Sequence, residues 1–276
     1  MKIKIIAMLM VMFALASAFA GGNRESGTAA PAAAAPVTIE IGGSTSVTPL
    51  MEVLQAEYAN VRSNVRINIS GTGSGDGITN AGVTYQIGMS SRDLTPAEQG
   101  RGLRAEVIAI DGIAVIVNGN NAVSNLTVDQ IQGIYTGTIT NWSQVGGRNA
   151  AIAVVSREEG SGTRGAFEEI VRFQGRLLAG ANQLTSTGAI LANVSQNQDA
   201  IGYISLGSVN DTIKALSVNG VTPTVANVSR GAYQIARPFI VMTGNNVHSE
   251  STAFIDWILS PAGQAIVTSR GYISPR

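Results

Sequence analysis

The sequence predicts an α/β protein in which the strands of a largely parallel sheet alternate with helices. Two patterns along the 276 residues carry this prediction. Short apolar runs, bounded by glycine and hydroxyl residues, alternate with longer stretches that place an apolar residue at every third or fourth position. Such alternation is typical of parallel sheets, whose ligands lie beyond the carboxyl ends of the strands.

The predicted elements begin at residue 37. Val37–Ile41 is predicted as a strand, and a helix begins at Pro49, a residue suited to the first helical turn. Gly112 separates two apolar runs, and we predict a turn there. The other predicted strands are Val65–Ser70, Tyr85–Met89, Glu106–Ile110, Ile113–Asn118, Ile152–Ser156, Ile201–Ser205 and Gln234–Thr243. The other predicted helices are Thr127–Tyr135, Thr163–Phe173, Gly188–Ser195, Ser249–Leu259 and Pro261–Ser269.

Three loops of glycine and small hydroxyl residues stand near points where strands should pass into helices. Backbone N–H groups and hydroxyls at the positive end of a helix dipole suit an oxyanion, and arginine adds a charged fork. One of the loops contains Arg157, so we predict that a single anion is held from several sides. The loops are Gly42–Pro49, Ser70–Gly77 and Ser156–Arg164.

Residues 1–20 have the pattern of a secretory signal peptide. Lys2 and Lys4 precede the mostly apolar run Ile5–Ala16, which is too short to span a membrane well, and Ala18–Ala20 is a small-x-small cleavage signal. We expect cleavage, a periplasmic or otherwise extracytoplasmic protein, and no lipid anchor, because no cysteine follows. An uncleaved anchor is the alternative. The low-complexity residues 21–36 are predicted to form a disordered leader.

Composition excludes several classes of function. The chain has 18 basic and 18 acidic residues, and loss of the signal peptide would leave it slightly acidic. It therefore lacks the global basic field that attracts nucleic acid or anionic membranes. The absence of cysteine excludes disulfides, thiolate metal sites and cysteine nucleophiles. The sequence suggests no metal cluster, and no cofactor is expected.

Six short motifs follow one another over nearly all of the expected mature chain. They are Gly43–Val47, Gly71–Gly75, Ile87–Arg92, Asp111–Asn118, Ile134–Trp142 and Arg157–Arg164. Each motif alone is weak, but their order and spacing are specific. Together they resemble the phosphate-binding protein of bacterial phosphate ABC transporters, a member of the periplasmic substrate-binding proteins.

The resemblance implies a type II periplasmic-binding-protein fold, with two α/β lobes, two crossovers and a ligand cleft between the lobes. Residues 37–112 and 232–276 would form the first lobe, including the return crossover, and residues 113–231 the second. It also implies a binding protein that captures inorganic phosphate by cleft closure and delivers it to a membrane permease. We expect it to act as a monomer.

The resemblance also implies phosphate ligands from both lobes. Hydroxyls and backbone N–H groups would hold the anion from one side, and a guanidinium with further hydroxyls from the other. The expected ligands are Ser46, Val47, Ser74, Ser91, Arg92, Arg157, Ser161, Gly162 and Thr163.

One position departs from the family pattern. Many members have an aspartate that accepts a proton from phosphate and so rejects sulfate, but here Ser91 and Arg92 stand at that place. Arg92 is a candidate for a second cationic ligand. Asp76 and Asp111 are candidate proton acceptors, although either carboxylate could equally cap a helix or shape a turn.

Two other functions stay open. A general oxyanion receptor of the sulfate or molybdate kind could use similar donors. A phosphate-ester hydrolase would need a nucleophile with a base, but His248 is the single histidine and no Gly-x-Ser-x-Gly sequence occurs. Binding without catalysis is therefore the main prediction.

Overall fold

A computed structural model describes residues 36–275. The strands are β1 (Val37–Gly43), β2 (Val65–Gly71), β3 (Ile87–Ser90), β4 (Arg104–Asn118), β5 (Asn125–Leu126), β6 (Ala153–Arg157), β7 (Asn182–Leu184), β8 (Ala200–Ser205), β9 (Ile213–Ala215), β10 (Ser217–Val218) and β11 (Ala236–Thr243). The α-helices are α1 (Thr48–Tyr58), α2 (Ser74–Asn80), α3 (Pro96–Gln99), α4 (Val128–Thr136), α5 (Gly162–Ile170), α6 (Thr187–Gln196), α7 (Val225–Ser229), α8 (Ser249–Leu259) and α9 (Pro261–Ser269). Short 3₁₀ helices lie at Trp142–Val145 and Leu206–Ser208.

Within residues 36–275, nine strands form one mixed sheet in the order β2-β1-β3-β11-β4-β8-β6-β7, with β9 also paired to β4. The flanking pairs, β1 with β2 and β3, and β6 with β7 and β8, are parallel. The pairs that β4 and β11 make in the centre are antiparallel. The prediction of a largely parallel sheet is therefore right at the flanks and wrong in the centre, where β11 brings the chain back along β4.

Buried apolar side chains fall into separate clusters along β4. One cluster packs β1, β2, α1, α8 and α9 together and includes Ala109, whereas another packs α4, α5 and β8 and includes Ile113. The chain thus passes from the first core to the second between Ala109 and Ile113. It returns between Ile235, which belongs to the second core, and Phe239, which belongs to the first.

Gly112 lies inside β4 and pairs with Ala236, so the predicted turn at this residue is wrong. A Cβ atom at Gly112 would lie 2.9 Å from a methyl carbon of Val228 and 3.2 Å from one of Leu206. The glycine permits close packing where the strand passes between the cores. The sequence suggested a turn because polar Asp111 interrupts the apolar pattern beside it.

The predicted signal peptide at residues 1–20, and all but the last residue of the predicted leader at 21–36, lie outside the described residues. From residue 36 to residue 275, no helix is both long enough and apolar enough to cross a membrane.

Candidate anion-binding site

Strands β1, β2, β6 and β7 each end in a loop that leads into a helix, namely α1, α2, α5 and α6. In the described part of the chain, the N-cap residues of α1 and α2, Val47 and Gly73, make no side-chain cap hydrogen bond. By contrast, Ser161 and Ser186 cap α5 and α6 with their hydroxyls. The first N–H groups of a helix lack intrahelical partners, so such loops are suitable places for anion donors.

Hydroxyl groups from these loops and from the end of β3 meet in one buried group. We call it the hydroxyl cluster, and its members are Ser44, Ser46, Ser74, Ser91, Thr163 and Thr187. The Ser46 Oγ atom lies 2.8 Å from Thr163 Oγ1 and 2.9 Å from Thr187 Oγ1. Ser44 Oγ donates to Ser91 Oγ over 2.8 Å. Hydroxyls from loops on both sides of the central strands β4 and β11 therefore lie within hydrogen-bonding distance, although their residues are far apart in the sequence.

Two glycines let the loops before α2 and α5 approach each other. A Cβ atom at Gly162 would lie 2.3 Å from Ser74 Oγ and 2.9 Å from Ser91 Oγ, so a larger residue would displace these hydroxyls. The Gly75 N–H donates to the Gly160 carbonyl over 2.9 Å. The expected ligands Ser46, Ser74, Ser91, Gly162 and Thr163 are thus brought together in the structure.

Arg157 is buried at the end of β6, with 2% of its surface exposed. Its Nε and Nη2 atoms donate to the two carboxylate oxygens of Glu158, each over 2.9 Å, and to the carbonyls of Leu184 and Thr185. The backbone N–H of Arg157 donates to the Tyr203 hydroxyl. Burial raises the pKa of Tyr203 to about 12. Among the described residues no hydrogen bond involves Nη1, and the role of Arg157 as a phosphate ligand stays a prediction.

Two other expected ligands have local partners. The Ser161 hydroxyl accepts from the Arg164 N–H over 3.3 Å at the start of α5. The Val47 N–H donates to the Ser44 carbonyl over 3.1 Å. Both residues lie next to the hydroxyl cluster in sequence, but their roles as phosphate ligands stay predictions.

Arg92 faces a carboxylate rather than the hydroxyl cluster. Its Nη1 and Nη2 atoms bind the two carboxylate oxygens of Glu98 over 2.7 and 2.8 Å. The hydrogen bond from Arg92 lowers the pKa of Glu98 to about 2. No hydrogen bond within residues 36–275 joins the Arg92 side chain to the hydroxyl cluster. Its role as a second cationic ligand stays a prediction.

Asp76 has donors of its own in α2 and beside it. Thr72 Oγ1, Asn80 Nδ2 and the Tyr85 hydroxyl donate to its carboxylate over 2.5, 2.7 and 2.8 Å. The hydrogen bond from Thr72 is the largest effect and lowers the pKa of Asp76. Burial opposes it, and smaller effects of the hydrogen bonds from Tyr85 and Asn80 lower the pKa further. These contacts keep the carboxylate ionised and engage both of its oxygens.

Asp111 lies buried on β4 in an ion pair with Arg237 of β11. Arg237 Nη2 donates to Asp111 Oδ2 over 3.0 Å, and the Ser205 hydroxyl donates to Oδ1 over 2.8 Å. Burial raises the pKa of Asp111, while Arg237 and Ser205 oppose that rise. Arg237 Nη1 also donates to the Ser91 carbonyl over 3.2 Å, so the pair touches the backbone of the hydroxyl cluster.

The sequence reasoning missed Thr187 and Arg237. Thr187 follows a short strand within the run Thr185-Ser186-Thr187-Gly188, which has the same hydroxyl and glycine composition as the three loops that were identified. Arg237 stands alone between apolar residues of a strand, where a charged residue is rarely buried without a partner. Either pattern could have drawn attention to these residues.

Known proteins resemble this chain over most of its length. A family model described as a PBP superfamily domain matches residues 28–262. The phosphate-binding protein PstS of Borreliella burgdorferi is 32% identical over 248 residues, which cover 85% of this chain and 89% of that protein. A crystal structure with bound phosphate from Clostridium perfringens, of a substrate-binding protein assigned to a phosphate ABC transporter, is 44% identical with a TM-score of 0.85. The match covers 87% of this chain and 100% of that one.

A second solved structure, an ABC-type phosphate transport receptor from Vibrio cholerae, is 37% identical with a TM-score of 0.72 and covers 86% of this chain and 100% of its own. The two cores, the crossing strands and the cluster of anion donors define a solute-binding protein of the type II periplasmic class, as the sequence predicted. The chain belongs to the PstS family of phosphate-binding proteins, within the PBP superfamily.

Proposed function

We propose that this protein binds one inorganic phosphate ion in a cleft at the hydroxyl cluster and hands it to the membrane permease of an ABC-type importer. The observation that carries the proposal is the meeting of buried hydroxyls at Ser46, Thr163 and Thr187. The buried Arg157 binds the carbonyls of the same loop that carries Thr187. The relatives named above support the choice of phosphate, because their names state phosphate binding or phosphate transport.

The proposed phosphate ligands are those expected from the sequence. Ser46, Ser74, Ser91 and Thr163 would donate hydroxyl hydrogen bonds, and Arg157 would add its free amino group. Gly162 would contribute through its backbone N–H group and Ser161 through its N–H or its hydroxyl, whereas Val47 would contribute its N–H only after leaving the Ser44 carbonyl. Arg92 would join them only after leaving Glu98. Hydrogen bonds to charged groups contribute about 1.5–3 kcal/mol each. Several of them suffice for micromolar affinity, about −8 kcal/mol, after the costs of desolvation and closure.

The donors are mostly neutral, and this suits a buried anion. Hydroxyl and N–H groups replace the water shell of phosphate without bringing in a surplus of charge that would itself require burial. Arg157 is already partly neutralised by Glu158, so the site's net charge stays low. We infer that the anion is recognised by the number and direction of its hydrogen bonds.

Binding is proposed to couple to closure of two lobes. Residues 37–112 with 232–276 would move as one body and residues 113–231 as the other, with the crossing segments of β4 and β11 between them. A phosphate that bridges donors on both bodies binds the closed form better and shifts the population toward it. The permease would then bind the closed, phosphate-bound form of the protein.

We propose an extracytoplasmic location with the mature chain beginning at Gly21 and carrying no lipid. The small residues at Ala18 and Ala20 and the lack of cysteine support this proposal. Mass spectrometry of the protein from its native envelope tests it: a retained signal peptide or an acyl adduct would contradict it.

Calorimetric titration with phosphate, sulfate, molybdate and a phosphonate tests the proposed function. We expect phosphate to bind in the micromolar range or tighter and at least about tenfold better than sulfate, a difference of about 1.4 kcal/mol. Equal affinity for sulfate would favour a general oxyanion receptor. Turnover of phosphate esters by the same preparation would favour a hydrolase. No binding of any oxyanion would overturn the proposal.

A further inference from the structure

The loop between β7 and α6 touches both the arginine and the first core. The carbonyls of Leu184 and Thr185 accept hydrogen bonds from Arg157 over 3.2 and 3.4 Å. Two residues later, Thr187 begins α6 and reaches Ser46 in the loop before α1. A single short loop therefore orients the proposed cationic ligand and contacts a proposed hydroxyl ligand that comes from the other core.

Thr187 is buried and makes three contacts to the loop before α1. Its Oγ1 atom lies 2.9 Å from Ser46 Oγ and 3.3 Å from Thr45 Oγ1. Its backbone N–H donates to Thr45 Oγ1 over 3.3 Å. These contacts join positions more than a hundred residues apart, so they tie the start of α6 to the start of α1.

The hydrogen-bonding capacity of Ser46 decides which hydroxyl donates in its contact with Thr187. A serine hydroxyl has one proton to donate and can accept hydrogen bonds through its lone pairs. When Ser46 gives its proton to a phosphate oxygen, its neighbours must donate to it or lose their hydrogen bond. A threonine that donates to Ser46 fixes the rotation of the serine hydroxyl and polarises it, which strengthens the bond to the anion.

We propose that Thr187 is a positioning residue of the phosphate site, which directs the Ser46 proton toward the ligand and, through Thr45, fastens α6 to α1 in the closed form. The inference rests on the proposed function. Because Thr187 acts on the closed form, its loss speeds phosphate release and leaves association nearly unchanged. Because it acts through Ser46 rather than on the anion, its loss weakens phosphate and sulfate by the same factor.

The test compares Thr187→Val, Thr187→Ser and wild type in the full chain as it is produced, with inorganic phosphate as the ligand. We expect Thr187→Val to bind phosphate about tenfold more weakly, and we expect the change to lie in the dissociation rate. Thr187→Ser keeps the hydroxyl and stays within about twofold of wild type. Thr252→Val, an exposed threonine in α8, is the matched control and binds as wild type does.

A double-mutant cycle with Thr45→Val provides a second test, because it measures the coupling between Thr45 and Thr187 in phosphate binding. If Thr45 and Thr187 form one fastening, the double variant loses less phosphate affinity than the sum of the two single losses, although Thr45→Val still removes the bond from the Thr187 N–H. Additive losses would overturn the fastening. Unchanged release from Thr187→Val, or a changed ratio of phosphate to sulfate affinity, would overturn the positioning role. Failure of wild type to bind phosphate would instead overturn the proposed function.

Discussion

Arg157 and Arg237 are the two arginines that residues 36–275 bury almost completely, and they are paired in different ways. Arg157 is bound by its sequence neighbour Glu158, whose side chain is 27% exposed. Arg237 is bound by Asp111 of another strand, whose side chain is 1% exposed. Water can therefore solvate Glu158 when its partner is lost, but it cannot solvate Asp111 without opening the sheet.

The contrast separates two uses of a buried cation. Arg237 uses its amino groups on Asp111 and on the Ser91 carbonyl, and both are parts of the protein frame. Arg157 is held along one edge by Glu158 and two carbonyls, and within residues 36–275 its Nη1 group makes no hydrogen bond, so we propose that this group binds the ligand. We therefore expect loss of Arg237 to act on stability and loss of Arg157 to act on phosphate binding.

The largest expected effect is on stability. Arg237→Ala should lower the free energy of unfolding by about 3–5 kcal/mol, because it leaves the Asp111 carboxylate buried without a counter-charge. Urea denaturation of the phosphate-free protein measures the change. The double variant Arg237→Met with Asp111→Leu removes both charges and should recover most of the loss. If Arg237→Ala is as stable as wild type, the Arg237–Asp111 pair does not stabilise the fold and the proposed contrast with the Arg157–Glu158 pair is wrong.

The next effect is on binding. Arg157→Ala should weaken phosphate binding by about 2–5 kcal/mol, the range for removing one partner of a buried charge pair. The free energy of unfolding without phosphate should barely change, because Glu158 can be hydrated. Arg157→Lys should restore part of the affinity, since an ammonium cannot reproduce the planar fork. Calorimetry and urea denaturation on the same samples check both statements, and normal phosphate binding by Arg157→Ala would contradict the assignment.

A smaller effect is expected on selectivity. We predict that Asp76 accepts the phosphate proton after it releases one of its donors, Thr72, Asn80 or Tyr85. Asp76→Asn should therefore reduce the preference of the site for phosphate over sulfate, which in wild type amounts to at least about 1.4 kcal/mol. Asp111→Asn should keep that preference, because Asp111 faces Arg237. Competition titrations of phosphate against sulfate compare the two variants. A preference lost in Asp111→Asn alone would transfer the role to Asp111, and a preference kept in both would exclude both.

The smallest effect concerns a third, more exposed pair, Arg92 and Glu98, whose side chains are 20% and 21% exposed. The pKa of Glu98 falls from 4.5 to about 2 in the folded protein, mainly through its hydrogen bond from Arg92. The pair therefore stabilises the protein fully above pH 4.5, and this contribution is lost as the pH falls toward 2.

Glu98→Gln should flatten the pH dependence of unfolding in that window, since glutamine can keep the contact to the start of α3 but cannot titrate. Urea denaturation between pH 2 and pH 7 measures the change. Identical profiles for the variant and wild type would show that the Arg92–Glu98 pair adds no stability. Tighter phosphate binding by Glu98→Gln near neutral pH would support Arg92 as a ligand.

Most helices and strands follow from local patterns in the sequence. The helices Ser249–Leu259 and Pro261–Ser269 are observed with the predicted ends, because apolar periodicity and proline at a first turn act within a few residues. The continuous strand β4 was predicted in two pieces. The ion-pair partner of Asp111 is Arg237 on β11, more than a hundred residues away, and the residues around Asp111 do not indicate such a partner.

The sequence by itself determined the class of fold and the residue types of the site, because loops of glycine, serine and threonine place hydroxyls and N–H groups at helix starts through local geometry alone. The tertiary structure alone decided which of these loops meet. It brought Thr187 to Ser46 and Arg237 to Asp111. The physical reason is that burial and ion pairing depend on distances across the sheet, and these are set by the order of the strands and by the return of β11 along β4.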